Sequence, residues 1–392
     1  MKEVAILGVG MHPWGKFPDT TWEDLAADAV QKALEDAHLE WKDIQFVSAG
    51  LDRWSGLNGL VAGSTLSFRL GSIGVPATSC ANACATGGYA LKTAQAYINA
   101  GFCDIALCFG GSVSPTGFFR PSQIREFDPT DMDTQRFRVV GQTNPTDFAF
   151  KAMRRMHLYG MTEDDLAQVK VKNSKHAQAN PYARYRKVFT KEEVLNSPMV
   201  SYPLRLYEIA ATSDGGAAVV LCSLEKAKQY TANPMVLAGV GVATPDFRDP
   251  GASRGGFTCN AGDATGMERR TPKAAYEEAG IGPEDLSLAE VYDLSSALEL
   301  AWYEHIGLCR DGEAEGLLRR GATAVGGRIP VNTSGGCSSS GEAIPAQALF
   351  QLCELVWQLR GEAGGRQVEG AKVGLAVNQG LQGNSSCIIA KR

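Results

Sequence analysis

Strand-length apolar runs that alternate with amphipathic, helix-length ones predict an α/β fold. An echo between the two halves of the chain predicts that the fold is duplicated. A third observation marks the place where chemistry is expected. Small residues crowd the stretch Ser79-Cys80-Ala81-Asn82-Ala83-Cys84-Ala85-Thr86-Gly87-Gly88-Tyr89-Ala90, so another segment or a ligand can approach its backbone closely.

In order, Glu3 to Gly10 reads as a strand closed by glycine. Thr21-Trp22-Glu23-Asp24 has the composition of a helix start, and Leu25, Ala26, Val30, Ala33, Leu34 and Ala37 follow at helical spacing. Ile44 to Leu51 reads as a second strand, followed by a glycine-dotted loop and a helix near Leu60 to Leu70. Gly74 to Thr78 is a short apolar approach to the small-residue turn, a helical pattern runs from about Cys84 to Ala100, and Asp104 to Phe109 is a strand ending in Gly110-Gly111. From about Ser112 to Asn196 the chain turns polar and is broken by Pro115, Pro121, Pro129, Pro145 and Pro181. Between Phe118 and Lys191 it carries fourteen Lys or Arg against eight Asp or Glu, in a protein whose net charge is -5. Two readings stand: a landing surface for an anionic ligand such as a phosphorylated cofactor, or a solvated helical insertion. The α/β pattern resumes at Ser213-Asp214-Gly215-Gly216-Ala217-Ala218-Val219-Val220-Leu221, a glycine turn feeding a buried strand.

The echo has three parts. Val4-Ala5-Ile6-Leu7-Gly8-Val9-Gly10 returns as Val236-Leu237-Ala238-Gly239-Val240-Gly241. The helix end and turn from Ala33 to Ile44 return from Ala275 to Leu286, and the Cys84 turn is answered by Ser334-Gly335-Gly336-Cys337-Ser338-Ser339-Ser340-Gly341-Glu342. The expected units are therefore 1–225, with an insertion at about 112–196, and 226–392, joined near Ser223 to Asn233. Two equivalent strand–helix turns facing each other across a pseudo-twofold axis are a natural place for a pocket.

Composition bounds the function. The 392 residues, 44% hydrophobic and 21% charged, describe a globular chain with room for two domains. The acidic balance argues against a general nucleic-acid binder, and no run approaches the roughly eighteen apolar residues of a membrane span. Without a secretory signal, the ten cysteines read as reduced thiols in a cytoplasmic protein. Cys80-x3-Cys84 and Cys103-x4-Cys108 lack the second cysteine pair or histidines of a zinc site, so no metal is expected in this chain. At the start of a helix, Cys84 would have its thiolate favoured by free N–H groups and the helix dipole; the alternative is a small buried cysteine in a tight turn.

This constellation resembles the thiolase superfamily, over almost the whole chain, and in particular its sterol-carrier-like branch. Four segments carry the likeness: Asn82-Ala83-Cys84-Ala85-Thr86-Gly87, Ser213-Asp214-Gly215-Gly216-Ala217, Glu290-Val291-Tyr292-Asp293, and Asn332-Thr333-Ser334-Gly335-Gly336 with Gly341-Glu342-Ala343. The resemblance implies a thiolase fold, a duplicated five-layered α-β-α-β-α arrangement with the insertion in its first half. It also implies coenzyme A as co-substrate, an acyl-CoA substrate, a homodimer core, and a small Zn-ribbon/OB-fold partner subunit. The departures are specific. Glu342 stands where members carry histidine, Tyr292 where they carry Asn or His, and Val377 where a Cys or His heads the glycine motif Val377-Asn378-Gln379-Gly380-Leu381-Gln382-Gly383. All five histidines, His12, His38, His157, His176 and His305, lie outside these motifs and read as surface or structural residues.

Thiolysis of a 3-oxoacyl-CoA needs a nucleophilic thiol, donors for two oxyanions and an acid/base. The resemblance assigns Cys84 as nucleophile, with its own N–H and those of Gly380 and Gly383 as an oxyanion hole. Tyr292 would donate to the thioester oxygen of the departing enolate. Glu342 would move protons provided that burial lifts its pKa; otherwise it is a first-turn helix glutamate, and Tyr292 a core tyrosine. Asn82 and Cys337 read as turn and packing residues. Tyr292 also occurs in steroid side-chain aldolases and in C-acyltransferases of this superfamily. The aldolases lack the cysteine and carry a tyrosine where this chain has Ile344. Tyr292 with Gly341-Glu342-Ala343 most resembles the branch that cleaves 2-benzoylsuccinyl-CoA, in anaerobic toluene degradation, to benzoyl-CoA and succinyl-CoA. The alternatives are a retro-aldol lyase, a C-acyltransferase, or a non-catalytic acyl-CoA-binding subunit.

Overall fold

The computed structural model describes residues 3–115, 130, 143–246, 266–380 and 383–392. Nine strands form one mixed sheet: β1 (Val4–Met11), β2 (Phe46–Gly50), β3 (Ala77–Cys80), β4 (Ile105–Ser112), β5 (Gly215–Ser223), β6 (Met235–Ala243), β7 (Leu288–Glu290), β8 (Val373–Gln379) and β9 (Ser385–Lys391). Their order across the sheet is β3-β2-β4-β5-β1-β6-β9-β8-β7. It is nearly a palindrome about the antiparallel contact of β1 with β6, where Val4 faces Leu237 and Ile6 faces Met235. On each side two antiparallel pairs are followed by parallel pairing, β2 with β4 and β3 in the first half and β7 with β8 in the second. The missing tenth strand survives as a single parallel bridge between Ala289 and Val331. The echo in the sequence is thus a repeat of topology.

The layers follow from which helix faces are apolar. α1 (Trp22–Asp36) starts at a capping box in which the Thr21 hydroxyl accepts the Asp24 N–H and the Asp24 carboxylate accepts the Thr21 N–H. It covers the outer face of β1, β4 and β5, and α5 (Met267–Ala279) covers β6 and β9 in the same way. The strand glycines explain both approaches. A Cβ on Gly8 or Gly10 would lie 2.2 Å from a carbonyl oxygen of α1, and one on Gly239 or Gly241 would lie 2.3 Å from a carbonyl oxygen of α5. Between the halves lie α2 (Thr86–Asn99) and α7 (Gln347–Arg360), each touching strands of both. Leu349, Phe350, Leu352, Cys353, Leu355 and Val356 of α7 are all buried, the mark of a helix enclosed on every side. The result is α-β-α-β-α.

The insertion is where expectation and structure part. Its described portion holds α3 (Asn144–Tyr159) and α4 (Glu163–Gln178), both packed on the helix Ser296–His305 of the second half. Part of the basic cluster, including Arg120, Arg125, Arg136 and Arg138, lies outside the described residues. Three of the described cations are neither a landing surface nor a solvated face. Arg155 is buried and pairs with Glu304 at 2.7 Å and Glu315 at 2.8 Å. Lys172 pairs with Glu299 at 2.7 Å, and the buried Lys170 donates to the Ser338 carbonyl at 2.6 Å. These cations pin the insertion to the second half. Replacing Arg155 with Met would leave two buried carboxylates facing each other without their counter-ion. Arg155→Met is expected to cost about 3–5 kcal/mol of unfolding free energy, measured by urea denaturation of the purified protein.

Candidate active site

Cys84 lies between β3 and α2 in a turn that the local sequence shapes closely. Ala83 takes a left-handed conformation (φ 47°), and the Asn82 N–H donates to the Thr86 hydroxyl at 2.8 Å. The glycine motif of the second half presses from the other side, since a Cβ on Gly380 would lie 2.7 Å from the Cys84 nitrogen. Two expectations need correction here. α2 begins at Thr86 with Ala85 as its cap, so Cys84 precedes the helix rather than opening it. Two of the three expected oxyanion-hole donors are engaged elsewhere. The Gly380 N–H donates to the Asn384 carbonyl at 2.6 Å and the Gly383 N–H to the Gly380 carbonyl at 3.1 Å, so both amides are spent within their own loop. Residues 381 and 382 lie outside the described residues.

The two partners arrive on segments without regular structure. Tyr292 follows β7, where the Val291 N–H donates to the Asn332 side-chain oxygen at 2.8 Å. Glu342 follows the short helix α6 (Gly336–Ser340) and is bracketed by the Ser213 motif: its N–H donates to the Ala211 carbonyl at 2.8 Å, and its carbonyl accepts from Ser213 at 2.9 Å. The Ser213 hydroxyl donates to the Ser340 carbonyl at 2.7 Å, and Gly341 makes the bend at φ 78°. Asp214 of the same motif accepts from the Ser114 N–H at 2.9 Å and pairs with Lys16 at 2.8 Å. That motif is the bracket, not the chemistry.

The three side chains meet. The Tyr292 hydroxyl donates to Glu342 Oε1, and the Cys84 thiol lies beside both, near enough for each to shift its titration. Tyr292 and Glu342 are fully buried and Cys84 is 8% exposed. Burial sets the electrostatics. It lifts the Cys84 thiol well above the usual cysteine range, helped by the Glu342 charge, so the resting sulfur is a thiol rather than the expected thiolate. Burial also raises Glu342 above the ordinary carboxylate range, against the lowering effect of Cys84 and Tyr292, and raises Tyr292. None of the groups that shift these three most is a cation. Glu342 Oε2 has no hydrogen-bond partner among the described residues, leaving one oxygen free to take a proton.

Other residues fall into place around this group. His176 is buried, contacts the Asn332 carbonyl through Nδ1 at 2.9 Å and accepts from the Val325 N–H through Nε2 at 3.1 Å. Burial and Lys172 push its pKa down to about 4, so it is a neutral structural residue. Cys337, taken from the sequence as packing, is close enough to raise the Tyr292 phenol, and the Glu342 charge in turn raises the Cys337 thiol. Asp293 stood inside a quoted motif without a role; Asn173, on α4, gave no signal because the insertion read as surface. A groove of about 970 Å³ runs along α5, with Arg269, Lys273, Tyr276 and His305 in its walls, and does not touch Cys84. Among the described residues no group of three or more His, Cys, Asp or Glu could hold a metal, and no helix is long and apolar enough to cross a membrane.

Residues 4–225 match the family model for the thiolase N-terminal domain, and residues 261–390 match the one described as thiolase C-terminal domain-like. The chain belongs to the thiolase family. It is 34% identical over 404 aligned residues to acetyl-CoA acetyltransferase of Methanothermobacter thermautotrophicus, covering 99% of each chain. It is 33% identical to the benzoylsuccinyl-CoA thiolase subunit BbsB of Thauera aromatica, covering 94% of this chain and 92% of that one. Bovine sterol carrier protein 2 is 32% identical, over 97% of this chain and 70% of its own length. Two solved structures share the fold. An Ltp2-ChsH2(DUF35) aldolase superposes with a TM-score of 0.83 at 24% identity over 99% of this chain and 97% of that chain. Human mitochondrial 3-ketoacyl-CoA thiolase in complex with CoA gives 0.74 at 15% identity over 100% and 98%. This thiolase is an acyltransferase of the acyl-CoA type, and coenzyme A is its co-substrate. A neutral Cys84 thiol has a measurable consequence. Alkylation of Cys84 by iodoacetamide, followed by peptide mass spectrometry, is expected to keep accelerating with pH beyond the range in which a free thiol levels off. A rate independent of pH through neutrality would show a resting thiolate.

Proposed function

We propose that this thiolase cleaves a 3-oxoacyl-CoA by CoA-dependent thiolysis through an acyl group on Cys84, with the Tyr292–Glu342 pair in the place of the family's histidine. The observation that carries the reading is the buried contact of the Cys84 thiol with both the Tyr292 hydroxyl and the Glu342 carboxyl. A carboxylate whose basicity is raised by burial is suited to accept a thiol proton and return it to carbon. As the sulfur bonds to the ketone carbon, its proton passes to Glu342. The bond between ketone carbon and α-carbon then breaks, leaving its electron pair on the α-carbon as an enolate. The Tyr292 hydroxyl, released from a now-protonated Glu342, donates to the enolate's thioester oxygen, and Glu342 delivers its proton to the α-carbon. The CoA thiol next attacks the acyl-cysteine, and its proton returns to Cys84 by way of Glu342. Each step balances with one CoA consumed per bond cleaved.

For substrate, we propose an aromatic or branched 3-oxoacyl-CoA such as 2-benzoylsuccinyl-CoA, giving benzoyl-CoA and succinyl-CoA. Support comes from Tyr292 with Gly341-Glu342-Ala343 and from the 33% identity to a benzoylsuccinyl-CoA thiolase subunit. The same relative is by name a subunit, and an aldolase neighbour is named with a second component, which supports a partner subunit; with it we propose a homodimeric core of this chain, a small Zn-ribbon/OB-fold partner and a cytoplasmic location, as the family resemblance implies. The unit boundaries 1–225 and 226–392 belong to the same reading.

With 2-benzoylsuccinyl-CoA and free CoA, the protein is expected to release benzoyl-CoA and succinyl-CoA and to carry benzoyl mass on the Cys84 peptide when CoA is withheld. Cys84→Ala should abolish turnover, and Glu342→Gln should lower kcat about 10²-fold or more. Cleavage by Cys84→Ala at the normal rate without CoA would replace this reading with a retro-aldol lyase.

A further inference from the structure

One buried carboxylate joins the Tyr292 segment to the Glu342 segment and takes no part in the proton transfers above. Asp293 directly follows Tyr292 and is 1% exposed. Its Oδ1 accepts the Cys337 N–H at 2.6 Å and its Oδ2 the Ser338 N–H at 3.2 Å. Both amides belong to α6, whose last residue is followed by Gly341 and Glu342. The carboxylate lies so close to α6 that a Cβ on Gly336 would sit 2.4 Å from Oδ2. Asn173 fixes the far side: its side-chain N–H₂ donates to Asp293 Oδ2 at 3.0 Å and to Glu299 Oε2 at 2.6 Å. Lys172 balances Glu299, and Lys170 grips the same turn from its carbonyl side through Ser338.

We propose that Asp293, oriented by Asn173, is a positioning residue for the reaction, setting where Glu342 stands relative to Tyr292 and Cys84. The inference deepens the acyl-cysteine reading and rests on it. Tyr292 and Glu342 lie 50 residues apart on irregular segments, and their mutual geometry depends on the few bonds that cross between them. A displacement of about 1 Å at a reacting group can cost about 10²-fold in rate. A carboxylate accepts on both oxygens, as three donors here require; an amide presents N–H₂ to one of them.

The groups that face Asp293 are Glu299, itself paired with Lys172, and Lys170 on the packed helices, the Cys337 thiol, and Tyr303, with Tyr292 adjacent in the chain. Burial and the Glu299 charge raise the Asp293 carboxyl to about 7, against the bonds from Cys337 and Ser338. Protonation as pH falls through that value removes an acceptor from α6, so acylation of Cys84 declines on the acid side. A group that merely stabilised the fold would change the melting temperature and leave this limb in place.

The test measures single-turnover acylation of Cys84 by benzoyl-CoA, by mass spectrometry of its peptide, as a function of pH. The unaltered protein, Asp293→Asn, Asn173→Ala and Cys84→Ala are compared, each with a thermal melt. Asp293→Asn is expected to acylate about 10²-fold more slowly and to lose the inflection that Asp293 sets on the acid side, keeping the one set by Glu342, with half-saturation in benzoyl-CoA little changed. Asn173→Ala leaves the carboxylate in place and is expected to lose about tenfold, so the inference stays testable if Asp293→Asn does not fold. Acylation of both folded variants at the unaltered rate with an unaltered pH profile would overturn the positioning role alone. Absence of acyl mass on Cys84 in the unaltered protein would overturn the acyl-cysteine reading and this inference with it.

Discussion

Everything at the centre of this molecule depends on three acids placed together without a base of the usual kind. A phenol hydrogen-bonded to a carboxyl and a thiol beside them share a buried space, and no cation is prominent among the groups that tune them. In water the carboxyl would hold its charge firmly and the other two their protons. Burial penalises charge on each of them, and that penalty narrows the distance in basicity between carboxylate and thiol. Proton exchange within the group then becomes feasible without an imidazole. Where a cysteine–histidine pair brings in a moderate base, this group raises an acid.

Such a group is useful only if its members cannot drift apart, and the surrounding polar core supplies that restraint. Asn332 orients the segment before Tyr292 and is itself held by His176 and Glu299. Glu290 accepts from Thr333 and from the Ser334 N–H, both at 3.0 Å, tying β7 to the glycine segment that leads into α6. The Glu354–Arg366 pair at 2.8 Å stands behind Thr333. Buried charges are costly unless paired, and with their partners they specify one packing of loops over its neighbours. The insertion contributes to this through α4, whose Lys170, Lys172 and Asn173 are buried.

Duplication explains why the site lies where it does. The Cys84 turn and the segment from Asn332 to Ala346 occupy equivalent places in the two halves, each between a parallel edge and a central helix. The pseudo-symmetry of the sheet brings them face to face at α2 and α7. One turn carries Cys84, and the other carries Glu342.

Much of this was legible before any coordinates. Strand and helix periods, Gly8 and Gly10 with their counterparts Gly239 and Gly241, and the repeated helix end from Ala275 to Leu286 are local patterns, and local sterics and burial impose them wherever the chain goes. Cys84, Tyr292 and Glu342 stood out because they occupy motif positions. The state of those residues was decided elsewhere. Whether Cys84 is a thiol or a thiolate, which amides of the Gly380 loop remain free, and whether Lys170, Lys172 and Arg155 face water or the core depend on neighbours distant in the chain. Those neighbours are brought near only by packing. Charge and proton affinity follow from the surrounding dielectric and partners, and a linear sequence does not contain its own surroundings.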